Sequence, residues 1–188
     1  MIEIRIHGRG GQGSVAAAYL LASAAFEAGF TCQAFPSFGA ERRGAPVTSF
    51  VRIDSVPIQL RAQIRAPDFL IVQDDTLLLD HGITAGLKPG GAMLVNSGRS
   101  AEDVEKAFAC RAFCVPATAM AIEEIGKPIP NTALLAGFLA LTGLLPPAAL
   151  AAALKGRFKG DTLAHNLTLI DRAAAAVPQG LWKEPADA

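Results

Sequence analysis

Cysteine is scarce in this chain, with three in 188 residues, at positions 32, 110 and 114. No C-x-x-C pair occurs, and three thiolates cannot complete the four-cysteine sets that hold iron–sulfur clusters or structural zinc. They read as buried, reduced thiols of a cytoplasmic protein. An excess of charge of either sign is also lacking. Seventeen basic and seventeen acidic residues leave a net charge of zero, which argues against nucleic acid as a partner, since its backbone calls for a basic surface. No secretory leader is visible, because the first residues alternate as a strand and carry Glu3 and Arg5. No Ser/His/Asp or Cys/His set, no H-x-x-H and no carboxylate cluster appears, so neither a catalytic engine nor a metal centre is expected. The uncharged stretch Thr132–Leu154 is long enough to span a bilayer. It is cut by Gly143 and Pro146-Pro147, which predicts two buried helices meeting at a turn and no membrane partner.

What the sequence has is a glycine turn near its start. The run Ile2-Glu3-Ile4-Arg5-Ile6-His7 leads into Gly8-Arg9-Gly10-Gly11-Gln12-Gly13, and Ser14 onward is rich in good helix formers. Strand, tight turn and helix follow in that order. Glycine allows positive φ and close approach of a ligand. The helix start directs unpaired N–H groups and a positive dipole end at the turn, so the turn suits an anion. Gly8, Gly10 and Gly13 match the dinucleotide fingerprint G-x-G-x-x-G. The acidic ribose anchor expected at the end of the second strand is absent, for Thr31–Phe35 runs into Pro36-Ser37-Phe38.

Hydrophobic residues make up 51% of the chain, enough to fill a sizeable core. Residues 1–177 read as one α/β domain and 178–188 as a polar, Pro-containing tail. Helix 1 is expected over Gln12–Ala28, with Ala16, Tyr19, Leu20 and Ala24 as its core stripe. Thr48–Ile53 and Val56–Leu60 are expected to pair as a hairpin. Phe69–Val72, Ala92–Asn96 and Ala112–Val115 are short buried strands, and Ser100 with Asp103 forms a capping box for the helix between the last two. The alternation predicts a three-layer, Rossmann-like, mainly parallel sheet with helices on both faces and a β-hairpin insertion. The Gly8–Gly13 turn and the Pro36–Pro46 loop then lie side by side at the carboxyl edge.

Every basic residue before position 66 is arginine, at 5, 9, 42, 43, 52, 61 and 65, and the first lysine is Lys88. Arginine's planar fork suits phosphate, carboxylate or a tight interface. Arg9, Arg42 and Arg43 fall near the glycine turn. Gln12 either contacts a ligand or caps the turn, and Asn131 reads most simply as a helix N-cap. His7 is expected to be a strand-edge histidine bonded to backbone.

Gly8–Gly13 together with Ala34-Phe35-Pro36-Ser37-Phe38-Gly39-Ala40-Glu41-Arg42-Arg43-Gly44-Ala45-Pro46-Val47 strongly resembles the gamma subunit of 2-oxoacid:ferredoxin oxidoreductases, in the pyruvate and 2-ketoisovalerate branch. Pro67-Asp68 and Asn131-Thr132 fit as well, and the likeness spans about residues 2–175. The resemblance implies a subunit of a complex that oxidatively decarboxylates a 2-oxoacid to an acyl-CoA. Thiamine diphosphate and Mg2+ would sit in alpha and beta partners, and iron–sulfur clusters in beta and delta partners. It further implies that Gly8, Arg9, Gly10, Gly11, Gln12 and Gly13 face the coenzyme A pyrophosphate or a neighbouring subunit. Ser37, Phe38, Glu41, Arg42 and Arg43 would lie at the interface near the thiamine site, and Asn131 would belong to the same cofactor-facing set. No residue of the chain is expected to perform a covalent step. Related complexes act on pyruvate, branched-chain oxoacids, 2-oxoglutarate or phenylglyoxylate, and some pass electrons to NAD through an extra flavin subunit. Two alternatives stand beside this reading: a stand-alone dinucleotide-binding oxidoreductase and a pure scaffold subunit.

Overall fold

A six-stranded sheet in the order β2-β3-β1-β4-β5-β6 organises the chain. The computed structural model describes residues 1–37 and 44–183. The strands are β1 (Ile2–Arg9), β2 (Thr31–Ser37), β3 (Pro46–Asp54), β4 (Phe69–Val72), β5 (Ala92–Asn96) and β6 (Arg111–Val115). The helices are α1 (Ser14–Glu27), α2 (Ala101–Phe108), α3 (Ala117–Ile125), α4 (Asn131–Thr142), α5 (Pro147–Lys155) and α6 (Gly160–Ala175), with two 3-10 turns at Asp75–Leu79 and His81–Thr84. β1, β4, β5 and β6 are parallel, whereas β3 runs antiparallel between β1 and β2. The α/β class, the parallel core and the helical layers match the expectation from sequence.

The two faces differ in chemistry. Ile4 and Ile6 join α1, α4, α5 and α6 in one apolar core. Helix α4 is buried at every residue from Thr132 to Thr142, which explains its uncharged sequence: it is wrapped by protein on all sides. Leu70, Val72, Met93 and Val95 pack on the opposite face under the 3-10 turns and α2. Beside them, the second face of β2-β3-β1 carries no helix among the described residues. Cross-strand register sets three rungs there: Gln33–Arg52–Glu3, Phe35–Phe50–Arg5 and Ser37–Thr48–His7. The alternation of β1 follows from this arrangement, with isoleucines on the core side and Glu3, Arg5 and His7 on the polar side.

Four local expectations are corrected. Val56–Leu60 forms no strand, because both edges of β3 are already taken by β1 and β2. The hairpin is instead β2–β3, and residues 55–66 cross the helix-free face as a strap, with Gln33 donating to the Ile58 carbonyl at 3.2 Å and Arg52 to the Ala62 carbonyl at 2.7 Å. The supposed tail is docked as far as Lys183. Trp182 is 3% exposed, stacks on Phe69 with centroids 6.2 Å apart, and donates its backbone N–H to the Leu141 carbonyl. Tyr19 lies outside the core stripe of α1 at 48% exposure, and Ala17, Leu21 and Ala25 occupy the buried side instead. Ser100 precedes α2 but makes no capping hydrogen bond with its side chain.

Candidate functional site

The glycine turn joins β1 to α1 at the carboxyl edge of the parallel strands. Gly11 and Gly13 adopt φ of 96° and 81°, a left-handed conformation that side chains resist. Gly8 serves close packing: a Cβ there would lie 2.1 Å from Ser14 Oγ and 2.9 Å from Gln73 Oε1. As expected, the turn sits beside the end of the Pro36–Pro46 loop. Gly10 N–H donates to the Ala45 carbonyl at 2.9 Å, and Arg9 Nη1 to the Gly44 carbonyl at 3.1 Å.

Arg9 and Gln12 are committed to the protein itself. Arg9 Nε lies 3.3 Å from Asp74 Oδ2, and its Nη2 donates to Thr76 Oγ1 at 2.6 Å. Gln12 Oε1 accepts from the Arg9 N–H at 2.8 Å, and its amide donates to Asp74 Oδ2 at 2.6 Å. Gln12 therefore caps the turn, one of its two expected roles. Burial works to raise the Asp74 carboxyl, but bonds from the Thr76 hydroxyl, Gln12 and the Thr76 N–H, with the Arg9 charge, hold it below the usual carboxylate range. Asp74 and Thr76 were not singled out from sequence. Their signal was the Asp74-Asp75-Thr76 turn after β4, which reads locally only as a helix start.

On the α1 side, Gly11, Gln12 and Gly13 open into a cleft of about 470 Å³. The first turns of α1, α4 and α6 all line it, so three helix starts meet at one concavity, with the acidic Asp161 of α6 among the lining residues. Asn131 enters from α4, where a Cβ on Gly13 would meet its Nδ2 at 3.2 Å. Asn131 is the first residue of α4 and Pro130 holds the cap position, while Asn131 Oδ1 accepts from the Thr132 N–H at 2.8 Å. Thr132 Oγ1 donates to Asn166 Oδ1 at 3.1 Å, tying α4 to α6 beneath the cleft. Lys127 and Arg157 stand on its rim. They lie in helix–helix connections, and only the packing of α4 on α6 brings them to the turn.

The structure thus unites Gly8, Arg9, Gly10, Gly11, Gln12, Gly13 and Asn131. Ser37 lies apart, on the polar face, where its hydroxyl accepts from Gln63 Nε2 at 3.1 Å. Phe38, Glu41, Arg42 and Arg43 lie outside the described residues. His7 differs from expectation, since β1 is central and no backbone group bonds its ring Nε2 among the described residues. Burial pushes the Cys114 thiol up to about 11 and raises Cys110 and Cys32 as well, so these are poor nucleophiles. Among the described residues no group of His, Cys, Asp or Glu could hold a metal ion.

Among the described residues lining the concavity, helix starts and two cations stand beside Asp161 and His165. Residues 3–176 match the family model described as pyruvate ferredoxin/flavodoxin oxidoreductase. The chain belongs to this family. It is 50% identical to the pyruvate/ketoisovalerate oxidoreductases common subunit gamma of Thermococcus kodakarensis, over 92% of this chain and 95% of the relative. It is 48% identical to the pyruvate synthase subunit PorC of Methanocaldococcus jannaschii, over 85% and 88% of the two chains. The crystal structure of the pyruvate oxidoreductase subunit PORC of Thermotoga maritima superposes with a TM-score of 0.83 at 37% identity, covering 93% of this chain and 95% of that one. The fold alone also recurs, at 21% identity and a TM-score of 0.77, as 33% of a 2-oxoglutarate:ferredoxin oxidoreductase chain from Magnetococcus marinus. This chain covers 95%, 88% and 95% of the three relatives' own lengths.

Proposed function

We propose that this chain is the gamma subunit of a multi-subunit 2-oxoacid:ferredoxin oxidoreductase, and that it helps hold coenzyme A while partner subunits perform the chemistry. Thiamine diphosphate, Mg2+ and iron–sulfur clusters belong to those alpha, beta and delta-type partners. The relatives' names favour pyruvate or a branched-chain oxoacid as substrate. The chain works in the cytoplasm, and no helix among its described residues is long and apolar enough to cross a membrane.

One observation supports the coenzyme A role: three helix starts and the glycine turn line a cleft that also holds Lys127 and Arg157, two cations against the single described acid Asp161. Pyrophosphate oxygens are satisfied by backbone N–H groups at helix starts and by fixed cations. Arg9 is not a direct ligand in this reading, because Asp74 and Thr76 occupy it. Its part is to brace the turn. Phe38, Glu41, Arg42 and Arg43 are assigned to contacts with the partner subunits, on the family resemblance of their motif.

The test is coenzyme A affinity of the assembled complex carrying Arg157→Ala, Lys127→Ala or Arg42→Ala. Loss of a charge-assisted contact lowers affinity by about tenfold or more. Unchanged affinity in all three leaves the pure scaffold reading in its place.

A further inference from the structure

On the helix-free face of the sheet, two arginines of similar position are treated in opposite ways. Arg52, on the Gln33–Arg52–Glu3 rung, is 2% exposed and saturated. Its Nε meets Glu3 Oε1 at 2.9 Å, and its other nitrogens reach carbonyls of the strap, Ala62 at 2.7 Å and Leu60 at 3.5 Å. Arg5, on the next rung, has one bond, from Nη2 to the Ile83 carbonyl at 2.9 Å. Its Nε is out of solvent and lacks a partner among the described residues. One rung further, His7 Nε2 is in the same condition. A buried polar atom left unpaired is costly, and here two lie on adjacent rungs of one face.

Arg5 and His7 also line a cleft of about 430 Å³, separate from the one at the glycine turn. Arg5, His7, Ser37 and Thr48 form its floor, and Gln63 and Arg65 of the strap form its wall. The wall is fixed closely: a Cβ on Gly86 would fall 2.0 Å from the Arg65 carbonyl oxygen, so the strap rests directly on that backbone. Among the described residues the lining includes two arginines, a histidine, Ser37, Thr48 and Gln63, and no acidic residue. Asp80 is the acid whose charge reaches His7, and its Oδ1 is occupied by the Gly82 N–H at 2.8 Å. Burial, followed by the Arg5 charge, keeps His7 neutral down to about pH 4, so the ring can present an N–H without adding charge.

We propose that this cleft is a second anion site, which takes an oxyanion group, carboxylate or phosphate, between Arg5 and Arg65 with His7 and the Ser37 and Thr48 hydroxyls as further donors. An arginine fork matches such oxygens two at a time. The site lies across the sheet from the coenzyme A cleft and does not depend on that reading. The anion is supplied either by a free small molecule or by an acidic side chain of a neighbouring subunit.

Inorganic phosphate and malonate, titrated separately into the full chain, test the site through the His7 ring resonance in NMR, assigned by its loss in His7→Gln. A saturable shift of His7 is expected, distinct from any drift of the exposed His81 and His165. Arg65→Gln, at an exposed position, should weaken the binding at least tenfold with an unchanged melting temperature, and Arg5→Lys should weaken it as well. Phosphate that still reaches His7 in the assembled complex identifies a free ligand. Phosphate excluded there, with assembly loosened by Arg65→Gln, identifies a partner's carboxylate. A His7 resonance that drifts without saturation under both probes, equally in Arg65→Gln, overturns the proposal.

Discussion

Arg9 and Asp74 form an ion pair that locks the glycine turn to the chain leaving β4, with Nε 3.3 Å from Oδ2. The turn and the Asp74–Thr76 segment are 65 residues apart in sequence and follow neighbouring parallel strands. Their linkage makes the turn a braced element of the fold.

Replacing Asp74 should therefore loosen the turn from a distance. Asp74→Ala removes acceptors for Gln12, Thr76 and Arg9, at a cost of about 1–3 kcal/mol. Because its folded pKa is depressed, Asp74 contributes stability that is present above the unfolded carboxyl value and is lost as pH falls through the folded one. Denaturant midpoints measured across the acid limb should show a smaller acid loss in the variant than in the parent.

His7 gives a second pH dependence in a different window. Its folded pKa of about 4 lies below the ordinary value of 6.5, so the unfolded chain binds the proton first. Stability is fully present above about pH 6.5 and declines as pH falls towards 4, by up to about 3 kcal/mol before allowance for the ring's partial exposure. His7→Gln should flatten that slope in a buffer free of phosphate and carboxylate.

Trp182 should report the docking of the C-terminal segment. It is the chain's single tryptophan and is 3% exposed. Native emission should be blue-shifted and should move to the red in one step with global unfolding. Trp182→Ala removes a large ring packed on Phe69 and should lower stability by about 3–5 kcal/mol, read from the denaturant midpoint.

Gly8 and Gly11 should fail for different reasons when changed to alanine. Gly8→Ala drives a methyl into Ser14 Oγ and breaks its 2.9 Å bond to Gln73, costing about 1–3 kcal/mol. Gly11→Ala meets open space but holds φ at 96°, so its cost is conformational strain of about 1–2 kcal/mol. A crystal structure of each variant separates displaced side chains from a re-formed turn.

Local patterns made the parallel core legible. Phe69–Val72 and Ala92–Asn96 are short apolar runs that only a strand buried on both faces explains, and both formed. The glycine turn was legible as a strand–turn–helix, and its expected neighbours Gly44 and Ala45 do lie beside it. The hairpin at Val56–Leu60 misled because alternation there reflects a strap lying over a polar face, not pairing; an open edge cannot be seen from sequence when β3 is already flanked. Trp182 was hidden among polar and proline neighbours, since a single aromatic anchor has no periodicity. Lys127, Arg157, Arg5 and Arg65 needed tertiary structure, because each acquires meaning from what it lies beside.

The most direct test of a positioning, non-catalytic subunit is a reconstitution assay with a 2-oxoacid, coenzyme A and a one-electron acceptor. The purified chain alone should give no acceptor reduction and no acyl-CoA, and adding it to the partner subunits should restore coenzyme A-dependent turnover. Acyl-CoA formed by the isolated 188-residue chain, free of any other subunit, would contradict that assignment.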